Sequence, residues 1–223
     1  MIKKVIQKFE FYRKIRFLRY IQLNFFCKNV IRTDQSLLIP YKGAVIDIEP
    51  GAKLILGGGD MEIGCDLLRG SQAETRIRLR KGATWSSEGG CRISYGATVE
   101  VLSGGILDSQ FFTMNTGSVL IAAKKIALGC DVMIGRNVIV YDSDHHTIRN
   151  VDGKTKNPDA PISIGDHVWL ATNAMVLKGT IVGSDSVIGS ALTAHGIIPS
   201  DSLWKTENVR RNFGSWSREH PNK

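Results

Sequence analysis

A period of six residues runs through the second half of the chain. Stepping from Leu128 gives Leu128, Ile134 and Val140, then beyond a gap Ile164, Leu170, Val176, Val182, Ile188 and Ala194. The residue that follows is repeatedly small: Gly129, Gly135, Gly165, Ala171, Gly183 and Gly189. A companion ladder two positions earlier reads Ile126, Val132, Val138, Ile162, Val168 and Ala174, then turns polar at Thr180 and Ser186. The period is neither the 3.6 of a helix nor a simple alternation. A unit this short holds one short strand and one tight turn. The aliphatic residue points into a narrow axial core, and the small residue eases the corner. Three units make one coil of about 18 residues, and stacked coils pair as parallel strands along three flat faces.

Upstream the repeat loosens. Val45–Ala52, Leu79–Ala83 and Ile93–Val99 share a β-run followed by Gly-Ala, or by Pro-Gly-Ala in the first case. They read as further coils with wider, irregular turns, so residues 31–200 form one solenoid, with a separate small β domain as the alternative for the upstream part. Between Val140 and Ile162 the aliphatic ladder stops and then resumes in the same register. That is the pattern of a loop, around residues 141–161, extruded from one corner of an intact coil.

Charge is distributed unevenly. The chain has 223 residues and a net charge of +8, which by itself would suggest nucleic acid. Eight cations lie within the first 28 residues (Lys3, Lys4, Lys8, Arg13, Lys14, Arg16, Arg19, Lys28) against a single Glu10. The body is close to neutral and shows no basic stripe, so nucleic acid is not an expected partner. Aliphatic and aromatic residues interleave with these cations at approximately helical spacing. Residues 1–30 therefore read as a basic amphipathic helix. It would lie either on an anionic membrane surface through residues 1–29 or against protein. No run approaches the roughly 18 apolar residues of a span, and no cleavable leader is expected. Residues 201–223 form a C-terminal tail. The four cysteines, Cys27, Cys65, Cys91 and Cys130, have neither zinc-site nor paired spacing. They read as free thiols in a reducing compartment, with no metal.

The insert contains Asp142, Asp144, His145 and His146, and His167 follows it. Histidine titrates near neutrality and suits a general base, and a neighbouring carboxylate, Asp142 or Asp144, would hold its ring. The bland alternative is a solvated loop. Asp144-His145-His146-Thr147-Ile148, with Ile162–Leu170, Lys178–Gly183 and Ser186–Ser190, resembles the hexapeptide-repeat acyltransferases, in particular the sugar O-acetyltransferases of capsule, lipopolysaccharide and exopolysaccharide synthesis. The resemblance covers roughly residues 126–192. It implies an all-β, left-handed parallel β-helix, a handedness that period and spacing do not reveal. It also implies His146 as the base, with Asp144 and His145 beside it, and acetyl-coenzyme A as the acyl donor.

The same resemblance implies a donor site made by small residues of the last coils: Ala171, Thr172, Ser190 and Ala191, with Trp169 as a wall. Lys178, Lys205 and Arg210 are then candidates for the nucleotide phosphates. It further implies a homotrimer whose acceptor is a sugar, a sugar nucleotide or a lipid-linked glycan. The expected location is the cytoplasm, or the cytoplasmic face of the inner membrane. The chain departs from the family pattern after the last coil, where Thr193-Ala194-His195 stands in place of the usual Thr-Lys and a Gly-Asn-Pro-Ala-Lys stretch is missing. Three other readings stay open: N-acetylation of an amino sugar, a scaffold that has lost its donor site, and a zinc carbonic anhydrase using His145, His146 and His167.

Overall fold

A computed structural model describes residues 12–206. The chain winds as a left-handed parallel β-helix. Among the described residues every third strand pairs with the next in parallel, giving sheets of eight, eight and seven strands. Taking them in the order in which the chain meets them, the first face starts with Val30–Arg32, the second with Leu38–Pro40 and the third with Ala44–Ile48. Among the described residues the upstream strands stack in the same three sheets as the downstream ones.

The six-residue ladder is the core. All nine residues from Leu128 to Ala194 are buried, as are Ile126, Val132, Val138, Ile162, Val168 and Ala174. Their outward neighbours stay at the surface because successive side chains on a strand point to opposite faces. Thr180 and Ser186, where the companion ladder turns polar, are also buried. The Thr180 hydroxyl donates to the Ala194 carbonyl and Ser186 to the Pro199 carbonyl, both at 3.1 Å. Each satisfies a backbone acceptor that would otherwise be stranded in the core. In this half Ser163 pairs with Ile181 and Trp169 with Val187, one 18-residue turn apart.

Upstream coils are wider. Trp85 and Phe112 are completely buried with ring centroids 6.4 Å apart, and Trp85 Nε1 donates to Ser109 Oγ at 3.0 Å. The extruded loop leaves after Ile139–Tyr141 on the third face and returns at Ile162–Ile164 on the first. Ile126 still pairs with Ile162, so the coil closes beneath it.

The N-terminal helix is shorter than expected within the described residues; residues 1–11 of it, like tail residues 207–223, lie outside them. Ile15 leaves the helical pattern to bridge Tyr41. A five-residue helix, α1 (Phe17–Ile21), then runs into a π turn at Gln22–Phe26. The reason is that this segment caps the open end of the first coil. Leu23 plugs the core. Buried Asn24 stands in for a missing strand: its amide donates to the Leu38 carbonyl at 2.7 Å and its oxygen accepts the Leu38 N–H at 2.8 Å. Arg16 and Arg19 donate to the carbonyls of Ala44 and Ile46. A continuous helix could not make all of these edge contacts.

Candidate active site

The loop is fastened at its root. Asp142 is fully buried, and its carboxylate accepts three backbone N–H groups, from Ala123 at 2.6 Å, Lys124 at 2.8 Å and Lys125 at 2.6 Å. These belong to the turn of the coil below. The returning strand adds a bond from the Ala160 N–H to the Asp142 carbonyl at 3.1 Å. Asp142 therefore builds the loop and does not face an imidazole.

Beyond the root, Asp144, His145 and His146 are exposed. The His145 N–H donates to Ser143 Oγ at 2.9 Å, and His145 takes a left-handed backbone with φ of 60°. Its ring meets Tyr141 edge-on at 5.3 Å. The turn presents the His146 imidazole to solvent with no side-chain hydrogen bond from the described residues. Its backbone, by contrast, is held on both sides. The His146 N–H donates to the Asp144 carbonyl at 2.7 Å, and its own carbonyl accepts from Asn157 Nδ2 at 2.8 Å.

Asn157 is the hub of this loop. It also donates to Asp144 Oδ2 at 2.8 Å, and its oxygen accepts the Ile148 N–H at 2.7 Å. The same Asp144 oxygen receives Lys178 Nζ at 2.5 Å. Lys178 follows Met175–Leu177, the strand that pairs with Ile139–Tyr141 one coil below. The hydrogen bond from Lys178, with that from Asn157, holds the Asp144 carboxyl below the usual carboxylate range. The structure thus gives Asp144 a cation and an amide as partners, where the sequence suggested an imidazole. Asn157 was not singled out in the sequence; Asn157-Pro158 signals a bend but not what the amide reaches.

The donor candidates divide. Ala171, Thr172, Ser190 and Ala191 share the corner between the second and third faces, where the Ala191 N–H donates to the Thr172 carbonyl at 3.0 Å. Thr172, Ser190 and Ala191 are exposed, whereas Ala171 is buried and offers only backbone. Lys205 is exposed at the end of the same corner. Trp169, half exposed, stands outward on the second face beside Met133 and Val187. Lys178 lies on a different corner, with the histidine loop. Arg210 lies outside the described residues. Along this corner small residues and hydroxyls alternate with exposed backbone, with Arg136 on the coil below, where its carbonyl accepts the Asn173 N–H at 2.9 Å.

His167 sits apart from His145 and His146, at the corner between the first and second faces. There its Nδ1 pairs with Asp185 at 2.9 Å, and that hydrogen bond raises its pKa. Among the described residues no three His, Cys, Asp or Glu side chains come together as a metal site.

Comparison with known proteins gives a consistent set of relatives. The polysialic acid O-acetyltransferase of Neisseria meningitidis is 38% identical over 69 residues, 30% of this chain and 32% of that one. A putative lipopolysaccharide biosynthesis O-acetyl transferase of Escherichia coli K12 is 29% identical over 90 residues, 36% of this chain and 45% of its own length. The galactoside O-acetyltransferase of the same organism is 24% identical over 106 residues, 48% of this chain and 49% of that one. The chain spans about a third to a half of the length of the curated relatives it matches. Among solved structures, a polySia-specific acetyltransferase superimposes with a TM-score of 0.45 at 20% identity, over 87% of this chain and 92% of that one. No family model matches the chain.

Proposed function

We propose that this hexapeptide-repeat left-handed β-helix, whose curated relatives are acetyltransferases, transfers an acetyl group from acetyl-coenzyme A to a hydroxyl of a sugar or glycan precursor. The observation that carries the reading is His146, held by its backbone and free at its ring, at the tip of a turn clasped to the rigid coils by Asn157 and the Asp144–Lys178 pair. A general base needs such a fixed position and an open ring.

In the proposed reaction the acceptor hydroxyl loses its proton to the His146 imidazole as its oxygen attacks the thioester carbonyl carbon. A carbon–oxygen bond forms, the carbon–sulfur bond breaks, and the thiolate leaves, taking the proton back from the imidazolium as free thiol. Asp144 acts through the loop, fixing where the ring stands, and His145 lines the same turn. The donor extends along the ledge of Thr172, Ser190 and Ala191 with its acyl arm beside Trp169. That corner is not the one that carries the histidine loop, so the thioester would meet the histidine loop of a neighbouring copy in the assembly. Lys205, exposed at the end of that ledge, would meet the phosphates, with Arg210, outside the described residues, as a further candidate.

A homotrimer is part of the proposal. Met133, Trp169, Val187 and Leu203 form one outward column of paired apolar residues on the second face, and three of the four are well exposed. A flat apolar wall of this kind suits self-association. The exposed free thiol of Cys130 supports a reducing, cytoplasmic location.

Thiol release from acetyl-coenzyme A, measured over a panel of sugars, sugar nucleotides and oligosaccharides, tests the reading. Acceptor-dependent release should fall by about 10²–10⁴-fold in His146→Ala. Release that is independent of acceptor, or unchanged in the variant, would remove His146 as the base. A wild-type protein that neither binds nor turns over the donor would favour a scaffold.

A further inference from the structure

The end cap of the solenoid is built against the usual logic of caps. Terminal repeats normally turn a polar face to water. Here Leu18 is 83% exposed, Phe26 75% and Phe25 58%, with Phe17 and Tyr12 nearly half exposed beside them. The apolar residues needed to close the core, Ile15 and Leu23, are already inside. Outside, Tyr12 meets Phe17 edge-on, Phe25 meets Tyr20, and Arg32 lies over the Phe25 ring, which leaves Leu18 and Phe26 the most exposed of the ridge.

The ridge is embedded in positive charge. Residues 12–33 contain Arg13, Lys14, Arg16, Arg19, Lys28 and Arg32 and no acidic residue. Arg13 and Lys14, just before the ridge in sequence, also line a cavity of about 710 Å³ together with Lys42, Arg69 and Arg92, with Asp66 as the sole carboxylate on its wall. Arg92 is answered by Glu62 and Asp66, each at 3.7 Å. The other four have no acidic partner among the described residues. Leu68, 67% exposed, stands on the cavity wall.

We propose that this end of the molecule docks on an anionic phospholipid bilayer. Leu18, Phe25 and Phe26 would enter the boundary between headgroups and acyl chains, and the cavity cations would take lipid phosphates. Bulky apolar groups beside unneutralised cations are what an interfacial surface presents. A second copy of the chain fits poorly, because a symmetric contact would bring two predominantly basic faces together, with Asp66 the one carboxylate on each cavity wall. A soluble anion would satisfy the cavity but leave the ridge unexplained. Docked by its first coil, the solenoid stands away from the surface. The histidine loop, between the fifth and sixth coils, is then about 20 Å above it, from the spacing of paired strands. If the proposed transferase reading holds, that height selects acceptors that project from a membrane.

Co-sedimentation of the full chain with phosphatidylcholine vesicles, with and without phosphatidylglycerol, tests docking independently of any enzymatic activity. Binding is expected only to the anionic vesicles, weakening as salt rises. Leu18→Ser with Phe26→Ser should weaken it by about tenfold or more. Lys14→Glu with Lys42→Glu should weaken it on the order of a hundredfold. Both variants should melt like wild type, since these side chains point outward. No binding to anionic vesicles, or equal binding to neutral ones, sinks the proposal. Undiminished binding by the ridge variant would reduce it to a site for soluble anions, and tighter retention on single-stranded RNA than on vesicles would replace the lipid surface.

Discussion

The first four coils and the last four meet the same demand, three sharp corners per coil, by different means. Upstream, the left-handed backbone of a corner falls almost entirely to glycine, as at Gly51, Gly82, Gly96, Gly104 and Gly117. Downstream, at the corners flanking the second face, it falls to Asp131, Asn137, His167, Asn173, Asp185, Ala191 and Asp201. Glycine has moved two residues earlier, where it serves room and not angle. A Cβ on Gly135 would lie 2.8 Å from the Leu170 carbonyl oxygen, and one on Gly165 would lie 2.7 Å from the Ser184 nitrogen, both on the next coil. Asp and Asn tolerate the left-handed region better than other residues because their short polar side chains bond locally. The strict half can therefore line its corners with functional groups, of which the His167–Asp185 pair is one. The wide half carries its polar groups on the faces, as in the ion pairs of Arg78 with Asp47 and of Arg80 with Glu100.

The contrast can be broken or sharpened by mutation. The largest effect is expected in the wide core, where Trp85→Ala should cost about 3–5 kcal/mol in denaturant unfolding, against about 0.5–1.5 kcal/mol for Ile188→Val in the narrow one. A small effect at Trp85 would mean that the wide coils collapse around the gap. Asp142→Ala strands three backbone N–H groups at the loop root and should cost more than about 2 kcal/mol. It should also lower turnover, because the histidine turn loses its foundation. Gly135→Ala should cost about 1–3 kcal/mol by forcing two coils apart. Gly104→Ala, with open space around its Cβ but a φ of 73°, should cost about 1–2 kcal/mol from backbone angle alone. Replacing each of these two glycines by Asn separates the causes: position 104 should recover, and position 135 should worsen.

The smallest effects are titrations of opposite sign. The folded pKa of His167 is raised by Asp185. Its contribution is complete below the ordinary histidine value and is lost as pH rises through the raised one. Asp144 is depressed by Lys178 and Asn157, so its contribution is complete above the ordinary carboxylate value and lost as pH falls through the depressed one. Melting temperatures across pH should show the upper limb flatten in Asp185→Asn and the lower limb flatten in Asp144→Asn.

Much of the solenoid was legible because a periodic core writes a periodic sequence. The ladder from Leu128 to Ala194 gave the buried positions, and its unbroken register across residues 141–161 gave the loop. The upstream coils were legible only as fragments, since Trp85 and Phe112 widen the core and lengthen the turns. The N-terminal cap does contain a helix, but within its described part that helix is interrupted at Ile15 and gives way to a π turn after Ile21. Its periodicity reflects residues that serve two purposes, Ile15 and Leu23 inward and Leu18 and Phe26 outward, which one amphipathic stripe does not describe. At the site, His146 was reached through resemblance to a family motif. Asn157 and the partner of Asp144 were not, because nothing in spacing says which side chain a loop will fold back upon.

The repeating core, the three-faced winding and the place of the extruded loop are thus properties of the chain's own pattern, fixed by burial of every sixth residue. Tertiary structure alone decided that Lys178 closes on Asp144, that Asn157 clasps the histidine turn, and that the cap leaves an exposed apolar ridge and a cavity lined mostly by cations. These are contacts between coils or between a loop and a coil. They depend on how residues far apart in sequence stack along the axis, and a six-residue pattern carries that information only for the side chains that point inward.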